Sequence, residues 1–116
     1  MIRIALAVLV SVVPAMAEAD TIGKWCGHAP GTVYSFDSVI TIEATGPSIV
    51  IIESKFRSGK PYTREASRID DSTFLQDNGD GYRILSDGSL EIFDDIGTIS
   101  IARPWGNDRS DTDCWR

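Results

Sequence analysis

Two adjacent carboxylate pairs, Asp70-Asp71 and Asp94-Asp95, one histidine, His28, and a basic strip with Arg57, Lys60, Tyr62 and Arg64 hold most of the chemistry this sequence offers. Paired carboxylates divide acid and base work when both face one substrate. Neighbours on a strand point to opposite faces, so neither pair converges, and both read as turn punctuation. His28, beside Gly27 and close to Pro30, reads as a loop residue after the first strand, a position open to a general base or a ligand contact. Asp77, Asn78 and Asp80 carry the oxygen ligands calcium takes, but Gly79 and Gly81 occupy alternate places where a helical calcium loop needs acids. The serines lack a Gly-x-Ser-x-Gly setting. No catalytic residue, metal site or cofactor is therefore assigned. The binding candidates are His28, Arg57, Lys60, Tyr62 and Arg64, a set suited to an anionic ligand or partner. Strand alternation divides the basic members unless the turn at Gly59 to Pro61 folds them together.

Cys26 and Cys114 are the only cysteines and lie toward opposite ends of the sequence. Without Cys-x-x-Cys spacing they read as a structural disulfide tying the two ends together. Ligation of a metal would need further soft ligands, and His28 is the only histidine. The N-terminus implies an oxidising compartment. Arg3, an apolar stretch over residues 4–13, the break at Pro14 and the small-x-small run Ala15-Met16-Ala17 read as an export signal cut before Glu18. The apolar run over residues 4–17 falls short of the roughly 20 residues a spanning helix needs, and no second such run follows. Residues 18–116 are expected to form one periplasmic or secreted domain with one core.

The formal net charge of −6 becomes one unit more negative when Arg3 leaves with the signal. Acidity of this size argues against sequence-independent nucleic-acid binding and against anionic membrane surfaces. Residues 53–68 nevertheless hold Lys55, Arg57, Lys60, Arg64 and Arg68 against Glu53 and Glu65, whereas residues 69–95 hold eight acids against Arg83 alone. Such segments pair across neighbouring strands, or leave a basic strip that receives an anion.

These residues must be positioned by strands. Short β-rich runs recur between turn residues, with no helical period. Residues 38–44 and 48–56 are rich in Ile and Val and flank Thr45-Gly46-Pro47, a hairpin turn. Residues 62–69 form a more polar strand. Residues 72–76, 82–85, 90–93 and 98–103 follow as a meander, with Asp87-Gly88 expected at the two central positions of a tight turn. Together with residues 22–26 these make an all-β, antiparallel up-and-down meander of seven or eight strands that forms a small barrel. The expected core is Trp25, Ile40, Ile42, Val50, Ile52, Phe56, Phe74, Tyr82, Ile84, Leu90, Ile92, Ile99 and Ile101. Ile49, Ile51, Leu85 and Phe93, facing the other way, are apolar too.

Gly23-Lys24-Trp25 resembles the Gly-x-Trp that opens the first strand of calycins, the lipocalin, fatty-acid-binding and avidin barrels, whose Trp packs against the closed end. The resemblance implies a meander that closes on itself, with Trp25 at one end; the Thr-Asp-Tyr motif of lipocalins is missing. A barrel of this size is filled by its own side chains or holds one small ligand, and for residues 18–116 the filled case is expected. The sequence reads as a small exported non-catalytic β-barrel that binds a partner macromolecule or a small envelope ligand. A carboxylate hydrolase built on Asp94 and Asp95 and a purely structural envelope component are the alternatives.

Overall fold

The computed structural model describes residues 20–28, 37–57, 60–106 and 110–115, leaving aside the side chains of His28, Asp37 and Thr112. The export signal read over residues 1–17 lies outside the described residues. Eight strands run in chain order: β1 (Asp20–His28), β2 (Asp37–Ala44), β3 (Ile49–Lys55), β4 (Tyr62–Arg68), β5 (Thr73–Leu75), β6 (Gly81–Ile84), β7 (Leu90–Phe93) and β8 (Thr98–Pro104). Each pairs with the next, and β8 returns to β1, so the meander is a closed antiparallel barrel. The closing seam joins Trp25 to Pro104 and Cys26 to Arg103, and the Trp105 amide extends it by donating to the Lys24 carbonyl at 3.0 Å.

Alternation decides which side chains fill the barrel. In β3, Val50, Ile52 and Ser54 are buried while their neighbours are half-buried or exposed. Paired residues on adjacent strands share a face, so the register carries the inward set around the wall. Trp25, Ile40, Ile42, Val50, Ile52, Ala66, Phe74, Tyr82, Leu90, Ile92 and Ala102 pack into one core, with Ile22, Ala44 and Ile84 at its margin. Each large apolar side chain fully buried here contributes about 1.5 to 3 kcal/mol relative to exposure.

Three expected core residues are placed elsewhere. The β7–β8 register pairs Leu90 with Ala102, Glu91 with Ile101 and Ile92 with Ser100, then shifts so that Phe93 meets Thr98. Ile101 therefore shares the outer face with Glu91 and is 54% exposed, while Ser100 and Ala102 take the inward positions. Ile99 falls at the irregularity and is likewise exposed. Phe56 lies just past the end of β3 and is only partly buried. His28 is also corrected: its backbone ends β1, paired with Asp37, rather than lying in the loop.

Trp25 closes one end of the interior. Its indole Nε1 donates to the Gly88 carbonyl at 2.7 Å, and its ring lies over Gly23, where any Cβ would meet ring carbons. Gly88 belongs to the β6–β7 turn, which differs from the tight turn expected. The Gly88 amide donates to the Leu85 carbonyl and the Leu85 amide to the Ser89 carbonyl, so Ser86 and Asp87 are central and Gly88 follows with φ of 91°. This is the pattern of a type I turn followed by a left-handed residue. A Cβ at Gly88 meets Pro104 at an ordinary 3.6 Å, so the backbone angle alone opposes substitution. Gly88→Val should lower stability by about 1 to 3 kcal/mol. An unchanged denaturant midpoint would contradict this turn geometry.

The disulfide lies outside the barrel wall. Cys26 and Cys114 are bonded with a Cα–Cα distance of 5.6 Å. Because Trp25 points inward, Cys26 points outward, where Val39, Trp105 and Trp115 surround the bond. The last described segment crosses the outer side of β1 to β3. Lys24 and Lys55 both reach Asp111, at 3.2 and 2.9 Å, and the Trp115 indole donates to the Lys55 carbonyl at 3.3 Å. The Lys55 hydrogen bond, reinforced by Lys24, holds the Asp111 carboxyl below its ordinary value against a smaller opposing effect of burial. Asp111 in turn raises the Lys55 ammonium.

A depressed carboxyl contributes stability above its unfolded value, about 4, and loses it as pH falls through the lower folded value. Wild type should therefore exceed Asp111→Asn in stability at neutral pH by the small margin of an exposed ion pair. That margin should begin to shrink near about pH 4 and vanish only as pH falls through the lower folded value, which paired denaturation curves across the acid range would check. The raised Lys55 adds its share below its unfolded value and loses it only in strong alkali.

Candidate functional site

The strand directions give the barrel two unlike ends. At the end holding the start of β1 and the β6–β7 turn, Trp25, Ile42, Val50, Ala66 and Leu90 make the lining apolar. Toward the opposite end, where β3 finishes and β4 begins, the inward positions turn polar: Ser38, Ser54, Arg64, Tyr82 and Ser100. Ser38 is satisfied, since its hydroxyl donates to the Gly27 carbonyl at 2.9 Å.

Arg64 organises this end. It faces inward because β4 pairs it with buried Ile52. Its Nε donates to the Tyr82 hydroxyl at 3.1 Å and its Nη1 to the Tyr62 carbonyl at 3.0 Å. The guanidinium carbon lies 4.6 Å from the centre of the Tyr62 ring and 5.6 Å from that of Tyr82, within cation–π range. Tyr82 donates its own proton to Gln76 Oε1 at 2.6 Å. Burial raises the Tyr82 phenol, an effect Arg64 opposes, so the phenol is neutral at ordinary pH. No carboxylate among the described residues pairs with Arg64.

Among the described residues, three buried side-chain atoms find no hydrogen-bond partner: Ser54 Oγ, Arg64 Nη2 and Ser100 Oγ. All three belong to inward positions of this polar half. Ser54 pairs with Tyr62, which puts it diagonal to Arg64 on one face of the β3–β4 ladder, within reach of a long side chain. Buried polar groups are ordinarily satisfied, and an unpaired donor costs about 1 to 3 kcal/mol. Concentration of these atoms at one end, beside a cation that no carboxylate among the described residues pairs, makes this the candidate site.

The basic strip expected from the sequence is divided. Tyr62 and Arg64 come together, Tyr62 at the rim with 47% exposure. Arg57 instead lies outside, its Nη2 donating to the Trp115 carbonyl at 3.2 Å, and Lys60 is exposed. The His28 side chain lies outside the described residues. Asp94 Oδ1 accepts the amides of Ile96 and Gly97, Asp70 Oδ1 that of Ser72, and Asn78 Oδ1 that of Asp80, so these side chains fasten their own turns. Ser54, Gln76 and Ser100 were not among the candidates. The legible signal was Ser54 following Val50 and Ile52 at the same strand period.

No family model, curated protein or solved structure matches the chain. Among the described residues no group of three or more histidine, cysteine or acidic side chains is arranged to hold a metal, and no helix is long and apolar enough to cross a membrane.

Proposed function

We propose that this is a small exported, non-catalytic binding protein whose ligand is received at the polar end of the barrel interior. One observation carries the reading: an inward guanidinium that no carboxylate among the described residues pairs, adjoining buried polar atoms that those residues leave unpaired, opposite an end plugged by Trp25. A fold that sought only stability would fill these positions with apolar side chains. Export is supported by the signal pattern of residues 1–17, and the Cys26–Cys114 bond is compatible with an oxidising compartment. Resemblance to calycins through Gly23-Lys24-Trp25 accords with a barrel closed at the Trp25 end and carries no ligand-binding function of its own. The hydrolase alternative is disfavoured because Asp94 is committed to its turn.

Thermal unfolding of the oxidised protein against a panel of neutral, cationic and anionic small molecules tests this. A ligand of the native state raises the midpoint in a concentration-dependent way. A flat response to all three groups would overturn the reading.

A further inference from the structure

We infer, independently of the interior site, that the outer face of the β7–β8 hairpin is a self-association surface through which two copies of this chain pair about a two-fold axis. Ile99 and Ile101 on β8 are about half exposed, and Ile96 on the turn before them is 92% exposed. Single exposed apolar residues are ordinary, but three along one hairpin make a strip of the kind that marks an interaction site. Neighbouring apolar surface is already covered within the copy. The Phe93 ring lies over Gly81, with the Arg83 guanidinium 4.7 Å from its centre, and Arg83 pairs with Glu91 at 2.8 Å.

Charge selects the occupant. Arg103 ends the strip on one side and Asp95 on the other; both are exposed, and neither makes an ion pair among the described residues. Arg103 follows Ile101 on the outer side of β8, whereas Asp95 sits in the turn that Asp94 and Gly97 close. A two-fold axis lying in the contact plane near Ile99, midway between them in sequence, runs the two strips antiparallel. Arg103 of each copy then meets Asp95 of the other while the isoleucines meet between them, the self-complementarity an isologous contact requires. The isoleucines of β3 lack this device. Ile49 is exposed, but Ile51 beside it pairs with Glu43 and Glu65, and Glu53 follows, so a second copy of a chain at net charge −6 is repelled there. Because the barrel wall is convex, contact is confined to a strip, and the association belongs to the small, weak class, building up between about 10 μM and 1 mM.

The test is the oligomeric state of the oxidised protein by sedimentation velocity across that concentration range, at low and high salt. Wild type should pass from monomer to dimer, and salt should weaken the dimer by screening its exposed ion pairs. Ile101→Ser and Arg103→Asp should each raise the dissociation constant by at least about tenfold. The double variant Arg103→Asp/Asp95→Arg, which exchanges the two charges, should recover the association that either single change loses, as a non-specific apolar contact would not. Ile101 is exposed on the wall, so Ile101→Ser should leave the thermal midpoint in place and decides the matter if a change at Arg103, paired with Cys26 in the closing seam, disturbs the fold. A wild type monomeric throughout would overturn the proposal, as would growth past the dimer, association that Ile101→Ser retains, or a folded double variant no better than its single parents.

Discussion

Reduction of the Cys26–Cys114 bond, or its replacement in Cys26→Ala/Cys114→Ala, should lower stability by roughly 4 to 5 kcal/mol in the chain-entropy model. The bond joins residues 88 apart in sequence, so it restricts nearly the whole described chain in the unfolded state. Little else does the same job. The polar ties of the last segment, Lys24 and Lys55 to Asp111 and Arg57 to the Trp115 carbonyl, are exposed and individually weak. The seam that closes the barrel is short, and Cys26 lies in it, paired with Arg103. Urea denaturation separates two origins of the loss. Constraint of the unfolded chain predicts a steeper dependence on denaturant after reduction, because the released chain exposes more surface. A loss of midpoint with unchanged slope would instead place the effect in packing of Cys114 against Val39, Trp105 and Trp115. Two titratable thiols in the unfolded, unreduced protein would remove the premise.

Where the sequence was legible, alternation and turn chemistry agreed. Ile40 and Ile42 against Val50 and Ile52 give the hairpin of β2 and β3 its inward face, and the structure pairs Ile42 with Ile52. In β8 the pattern misleads, because Ile99 and Ile101 are the apolar members while small Ser100 and Ala102 face in. Their orientation comes from β7 and from the register shift beside Ile92, a pairing that no local pattern in β8 contains. The site was legible only in part for the same reason. Arg64 and Tyr62 stand out as charge and aromatic, but their separation from Arg57 depends on where β4 begins and on Ile52 across the ladder. Tyr82 reads as core, which it is; its phenol serves Arg64 only because the barrel brings β6 round to face β4.

Trp25→Ala should cost about 3 to 5 kcal/mol, the range for truncating a fully buried large aromatic. Trp25 is 3% exposed and bridges two distant parts of the chain, since its Nε1 reaches the Gly88 carbonyl in the β6–β7 turn while its ring covers Gly23 in its own strand. Truncation would leave a cavity at the closed end and an unpaired carbonyl at Gly88. Trp25→Phe separates these losses: most of the ring volume stays, the hydrogen bond goes, and the cost should fall to that of one unsatisfied group, about 1 to 3 kcal/mol. Gly23→Ala provides the reciprocal test, since its methyl would meet the indole carbons and force the ring aside, with overpacking costs of about 1 to 3 kcal/mol. In the double variant Gly23→Ala/Trp25→Ala the new methyl enters the space the indole vacated, so the two losses should sum to more than the pair costs together. Additive losses would mean that Gly23 and Trp25 act separately, and a stable Trp25→Ala protein that had lost only ligand binding would move the indole from the barrel's plug to its site.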